Sequence, residues 1–222
     1  YRRTPIDERD PDRIETESLL GLDLGQSADP SALTVTEART PLYEDVSGDV
    51  EHEGEPSYAV RWIERFDLGT PYRDVVKRVA AVKQAPETGR SPTLVMDATG
   101  VGAPVTEMFE GEGLAPEQIV FTSGTRVNDE GRVHRVPKKD LATTVQSLLQ
   151  SGRIQIAEGL DGAAQLVTEM KRFRVKYTEA GNARFEHANE SDSDDVLLSL
   201  ACALWFAQSG RRRVITGTTV TF

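Results

Sequence analysis

Three short stretches put carboxylates where an apolar run has no ordinary use for them. In "SLLGLDLGQ", Leu20, Leu22 and Leu24 alternate, so Asp23 points to the opposite face of a strand from those three. In "TLVMDATGVG", Asp97 ends another apolar strand. In "NESDSDDVLLSLACALWF", Asp192, Asp194 and Asp195 stand just before a helix that is nearly all apolar. These groups converge if the two strands are neighbours and the helix packs on them. Converging carboxylates repel and raise each other's pKa, and each costs free energy to bury unless something pairs with it. Mg²⁺ or Mn²⁺ relieves both problems, because hard cations prefer carboxylate oxygens. Two such ions about 3.5–4 Å apart activate a water and stabilise a leaving oxygen in phosphodiester cleavage.

Each piece alone has a plainer use. A strand-end aspartate also serves as a turn or cap residue, and Asp194 and Asp195 suit a helix N-terminus through capping and the dipole. Asp23 lies mid-run, where no cap explains it. On the closing helix Leu197, Leu200, Ala201 and Leu204 share a face. Asp194 shares that face, and Asp195 is rotated from it by about 100°. Asp194 is therefore the first choice as ligand, with Asp195 as neighbour or alternate. The small residues Ser199, Ala201 and Ala203 let the helix approach a sheet closely.

The elements that must position these groups are legible in outline. Strand patterns occupy about 18–26, 32–38 and 57–67, and their order suggests an antiparallel meander. Pro71 opens a helix to about Gln84, with Val75, Val76, Val79, Ala80 and Val82 on its apolar side. "TLVMDA" is a short buried strand, and a helix follows near 103–111. "QIVF" at 118–121 is a strand, Pro137 starts a helix to about Gln150, "RIQI" is a strand, and 161–172 is helical. Residues 173–187 have a hairpin signature with Ala-Gly-Asn as the turn. The last helix covers about 194–208. Three strands, then alternating helix and strand, then a closing helix describe a mixed-sheet α/β domain.

Composition bounds the answer. The chain has 222 residues, enough for one sizeable α/β domain. It is 38% hydrophobic and 28% charged, in the range of soluble globular proteins. The longest mostly apolar run, Val196 to Ala207, is too short to span a bilayer. No secretory signal opens the chain, and it starts at Tyr1 rather than Met, as a piece of something longer would. The single cysteine, Cys202, permits no intramolecular disulfide and no cysteine-based zinc site, and a cytosolic compartment fits. The net charge of −10 argues against a general nucleic-acid coat, though not against an enzyme with a local basic track. Residues 43–56 hold six acids and no Lys or Arg, and read as a solvated loop.

The motifs resemble those of the C-terminal nuclease domain of the large terminase subunit of tailed bacteriophages, a member of the ribonuclease H-like superfamily. The resemblance rests on "GLDLGQSADPSALTV", "VMDATGVGAPVTEMF", "VPKKDLATTVQSLLQSGRIQI" and "SDSDDVLLSLACALW", which together span most of residues 18–206. It implies a ribonuclease H-like mixed central sheet flanked by helices, with residues 1–17 as linker or arm, 18–210 as the nuclease domain and 211–222 as a tail. Asp23 and Asp97 are then the strand ligands of two Mg²⁺ or Mn²⁺ ions, and Asp194 with Asp195 closes the site. Asp29 matches an auxiliary acid of some members. The family often has a histidine before the acidic pair, where this chain has Ser193. The implied activity is metal-dependent endonucleolytic cutting of concatemeric DNA during packaging. The implied partners are double-stranded DNA, an N-terminal ATPase domain, the small terminase and the portal, in the host cytoplasm with no membrane. The chain has no GxxxxGK[ST] loop, so the motor is not in it.

DNA contacts are less well marked. Arg132, Arg135, Lys138 and Lys139 cluster around a helix start, and Arg172, Arg174, Lys176 and Arg184 gather near the hairpin. Such patches can neutralise phosphates, and ordinary solvated charge accounts for each residue equally well. No base-reading motif is visible, so little sequence specificity is expected. Three other readings stand beside this one. "GLDLG" resembles the first phosphate loop of actin-like ATPases, a fold that needs a second similar half. A Holliday-junction resolvase-like nuclease would prefer branched DNA, and a non-catalytic adaptor would bind no metal.

Overall fold

The computed structural model describes residues 10–25, 29–45, 47–172, 174–177, 183–186 and 194–210. Its strands are β1 (Arg13–Asp23), β2 (Ala32–Glu44), β3 (Val50–Glu53), β4 (Ser57–Arg65), β5 (Thr93–Asp97), β6 (Glu117–Thr122), β7 (Asn128–Glu130), β8 (Val133–Pro137), β9 (Ile154–Ile156), β10 (Arg174–Tyr177) and β11 (Ala183–Glu186). Its helices are α1 (Tyr72–Gln84), α2 (Ala103–Gly111), α3 (Lys138–Gln150), α4 (Ala163–Arg172) and α5 (Asp195–Gln208). A nine-stranded sheet runs β7-β8-β6-β5-β1-β2-β4-β9, with β3 on β2, while β10 and β11 pair separately. The expected meander is β1-β2-β4, antiparallel throughout. From β1 the sheet continues through β5, β6 and β8 in parallel.

The alternation in β1 sorts its residues between two cores. Leu20, Leu22 and Leu24 pack with Leu33, Val35 and the apolar sides of α1 and α2. Leu19 packs on the opposite face with Ala32, Val95, Ile119 and α5, which α3 and α4 cover from outside. Each fully buried leucine contributes about 2 kcal/mol, so a one-residue slip of β1 would exchange Leu20, Leu22 and Leu24 for Leu19, Gly21 and Asp23. Every α5 residue from Asp195 to Ala207 is buried, which explains a helix apolar on all sides rather than along one stripe.

Gly21 decides how closely α5 lies on the sheet. A Cβ added there would stand 1.9 Å from the Ser199 backbone oxygen and 2.9 Å from Thr34 Oγ1. Only glycine leaves room for that contact. Ser199 sits a helical turn from Asp195, so the crossing at Gly21 sets where the start of α5 meets the end of β1.

Three expectations change. β1 begins at Arg13, five residues before the expected start at 18, because Arg13 to Ser18 pair with the long β2 up to Leu42. The acidic segment 43–56 is not all loop: it holds the end of β2 and all of β3. The turn between them is fixed by Asp45, whose Oδ1 accepts the Ser47 and Asp49 N–H groups at 2.7 and 3.0 Å. The β7–β8 hairpin was not read from the sequence, because "NDE" and "VHRVP" lack the strand alternation. Among the described residues no helix is long and apolar enough to cross a membrane.

Candidate metal centre

Asp23 and Asp97 are the last residues of β1 and β5, and the parallel register places them side by side. Adjacent strands lie about 4.8 Å apart, so the two carboxylates start from neighbouring Cα atoms. The same cross-strand row continues through Ala32 of β2 to Arg65, the last residue of β4. Residues directly opposite in a sheet share a face. That face is the one covered by α5.

Both aspartates are nearly closed off, at 9% and 8% exposure. Burial pushes the Asp23 carboxyl well above its usual range; Asp97, Asp195 and Asp194 push it further, and Lys138 opposes them. Burial also raises Asp97, against hydrogen bonds from Thr99 and the charge of Lys138. Thr99 grips Asp97 firmly. Its N–H donates to Asp97 Oδ1 at 2.8 Å, and its hydroxyl oxygen accepts the Phe121 N–H at 2.8 Å. The thiol of Cys202, in the wall of α5, is raised by burial and then by Asp97 and Asp23.

Asp194 is the N-cap residue of α5 and Asp195 its first helical residue. Asp195, 3% exposed, takes Arg65 Nε and Nη2 on its Oδ2, each at 3.0 Å. As the N-cap, Asp194 precedes the helical residues, so the helical rotation used to rank the two acids does not extend to it. Among the described residues no three carboxylate, imidazole or thiol groups stand close enough together to hold an ion as drawn. The donor set itself fits a hard divalent cation: carboxylate oxygens, mutually repelling, from which a cation would remove the repulsion.

The other expected site residues scatter. Lys138, first residue of α3, acts on both Asp23 and Asp97 and lies over the Phe121 ring at 5.7 Å, so it belongs beside the carboxylates rather than on a separate track. Lys139 is half-buried next to it. Arg132 sits at the far end of β8, its Nη1 on Glu117 at 2.6 Å, and Arg135 pairs with Glu130 at 3.1 Å. Asp29 is exposed in the β1–β2 loop. Arg174, Lys176 and Arg184 lie on the β10–β11 pair, Lys176 opposite Arg184. Asp192, Ser193 and the hairpin turn fall outside the described residues.

Sequence reasoning missed Arg65, Thr99 and Glu169. Arg65 is hidden by a register shift in β4 opposite Val35 and Thr36, which breaks simple alternation. Glu169 carried a signal: it follows Leu166 by three residues, on the stripe of α4 that faces the core.

No protein-family model matches the chain, and no curated protein matches it in sequence. Solved structures match its fold. The large terminase nuclease of thermophilic phage G20c aligns over 87% of this chain and 83% of its own length, with 20% identity and a TM-score of 0.56. The same nuclease with bound magnesium aligns over 88% and 84%, with 22% identity and a TM-score of 0.57. The chain shares the fold of these nucleases. The nuclease domain of Thermus phage P74-26 aligns over 87% of this chain and 80% of its own, at 20% identity and a TM-score of 0.54. The HK97 large terminase is matched over 88% of this chain but 40% of its own length, at 14% identity and a TM-score of 0.54. The terminase nuclease fold is the mixed sheet flanked by helices that the motifs imply.

Proposed function

We propose that this chain is the nuclease domain of a phage large terminase, a divalent-metal-dependent endonuclease that hydrolyses phosphodiester bonds in double-stranded DNA. The observation that carries this reading is the pairing of Asp23 with Asp97 at adjacent strand ends, both buried and both held above their usual pKa, with the start of α5 adding charge of the same sign. A fold has little use for such an arrangement, since like charges in a closed site cost stability. A cation-binding site needs it.

Asp23, Asp97 and Asp194 would hold two Mg²⁺ or Mn²⁺ ions, with Asp195 beside them. When bound, the ions would supply Lewis acidity to the attacking water and the leaving oxygen. The chain's own groups do the rest. Thr99 holds the Asp97 carboxylate through its N–H and is itself anchored by the Phe121 N–H. Asp195 holds the Arg65 guanidinium at the rim of the site, and Lys138 supplies positive charge on the side of Asp23 and Asp97. Both cations suit a phosphate, Arg65 by its planar fork and Lys138 as a point charge. Phosphate recognition of this kind carries no base information, so cutting is expected to show little sequence preference. In a full-length protein the domain would act on concatemeric DNA beside an N-terminal ATPase domain, with small terminase and portal as partners in the host cytoplasm.

The test is plasmid nicking and linearisation by the chain with Mg²⁺, Mn²⁺ or EDTA. Cleavage in either metal and none in EDTA is expected. Cleavage that survives EDTA would overturn the reading.

A further inference from the structure

We propose that Glu169 on α4 is a positioning residue for the acidic pair, capping α5 from a neighbouring helix so that Asp194 is not required as the cap. The inference rests on the metal-site reading above.

The first turn of any helix leaves backbone N–H groups without intrahelical partners. The usual remedy is the N-cap side chain, and aspartate is among the best residues for it. At α5 the N-cap residue is Asp194, yet it makes no side-chain cap hydrogen bond. The bond is made from outside. The Leu197 N–H, at the third position of the helix, donates to Glu169 Oε2 at 2.8 Å. Gln165, one turn earlier on α4, donates through Nε2 to Glu169 Oε1 at 2.9 Å. Both oxygens are therefore committed, and Glu169 is 5% exposed.

A buried carboxylate is a costly way to cap a helix. Burial pushes Glu169 up to about 7, the hydrogen bonds from Leu197 and Gln165 pull against that, and Asp195 and Asp194 add to the rise. Asp194 turned back onto its own helix would cap α5 without this cost. The arrangement separates two duties a helix-start aspartate can perform. Capping passes to α4, and the Asp194 carboxylate takes part in the electrostatics of Asp23 and Asp97. It also ties the depth of the α5 start to α4, while Gly21 ties it to β1.

Two near-isosteric variants test this. Glu169→Gln keeps the acceptor for Leu197, and Gln165 meets the new amide by turning over its own. Glu169→Met keeps the length and removes the acceptor. Three quantities are read: amide hydrogen exchange at Leu197 in metal-free buffer, Mn²⁺ affinity by calorimetry without DNA, and melting temperature. E169Q should match the wild type in exchange and bind Mn²⁺ within about threefold. E169M should exchange the Leu197 amide at least about tenfold faster and bind Mn²⁺ about tenfold or more weakly. Its melting temperature should fall by a few degrees, because the Leu197 N–H loses its buried acceptor. Wild-type exchange and affinity in E169M would overturn the proposal, as would an E169Q that loses as much as E169M. If E169M does not fold, E169Q decides alone: a tenfold loss of Mn²⁺ affinity or of Leu197 protection overturns the cap, and wild-type values uphold it. A wild-type chain that takes up no Mn²⁺ would sink the metal reading instead, and the Leu197 exchange would still decide the cap.

Discussion

The two ends of the central sheet handle charge in opposite ways. At the amino ends of the parallel strands, cations stand against individual carboxylates: Arg132 on Glu117 at 2.6 Å and Arg153 on Glu55 at 3.4 Å. His134, buried on β8 in the same cross-strand row as Asp97, likewise has its partners to hand, Glu117 at 3.2 Å and Asp129 at 2.8 Å. At the carboxyl ends, Asp23, Asp97, Asp194 and Asp195 act on one another beside Lys138 and Arg65. One end satisfies its charges internally. The other holds an excess of negative charge that an added cation would neutralise. Geometry built for stability and geometry built for binding therefore lie on the same strands, with Glu117 only two residues along β6 from the row that holds Asp97.

The largest expected contrast comes from removing one carboxylate at each end. Asp23→Asn or Asp97→Asn should reduce plasmid cleavage to background while the metal-free melting temperature holds or rises, since repulsion is relieved. Glu117→Ala should do the reverse. It leaves Arg132 and His134 facing a lost partner and should cost about 2–4 kcal/mol of stability, with cleavage per folded molecule unchanged. A stable, inactive Glu117→Ala would erase the distinction between the ends.

Within the carboxyl end, the two acids of α5 should separate. Asp194→Ala is expected to abolish cleavage with Mn²⁺. Asp195→Ala should leave a measurable fraction, because the paired role with Arg65 is lost but the strand ligands stay. Single-mutant assays in Mn²⁺ check this, and the opposite ranking would exchange the two assignments.

The lysines at the start of α3 sharpen the comparison further. Lys138→Ala should slow cleavage about tenfold at low salt, the loss of one charge-assisted contact. Lys139→Ala should have a smaller effect, since Lys138 is the α3 charge that acts most on Asp23 and Asp97. Equal losses would return Lys138 to a general phosphate track.

The smallest effect is on stability against pH. Asp23, Asp97 and Glu169 all have raised folded-state values, Glu169 to about 7. Below the unfolded carboxylate range, both states are protonated and no penalty applies. As pH rises from there toward 7, the unfolded chain releases protons that the folded chain retains, so metal-free stability falls. In a chain of this size each kcal/mol is about 2–4 °C of melting temperature. Mg²⁺ should therefore raise the melting temperature more at pH 8 than at pH 5, as differential scanning calorimetry would show. An equal rise at both pH values would mean that the ion does not answer the carboxylate repulsion.

Much of this was legible without coordinates. The leucine alternation of β1 placed Asp23 on the face opposite Leu20, Leu22 and Leu24, because strand periodicity is a local property of the chain. Helix boundaries at Pro71 and Pro137, and the small residues of α5, followed from steric rules that act over a few residues. The same locality made the strand-end position of Asp97 and the helix-start position of Asp194 readable. What stayed hidden depends on contacts between segments far apart in the chain. Arg65 reaches Asp195 across 130 positions, and a bulge masks its face. Glu169 reaches the Leu197 N–H from another helix. Lys138 reads as one of several basic residues until the parallel order of β1, β5, β6 and β8 brings the start of α3 to the ends of the Asp23 and Asp97 strands. Residue type and local period suffice to say which carboxylates face one way and what kind of cation they suit. Which cations and which cap surround them depends on strand order and helix docking, which are set by packing over the whole core.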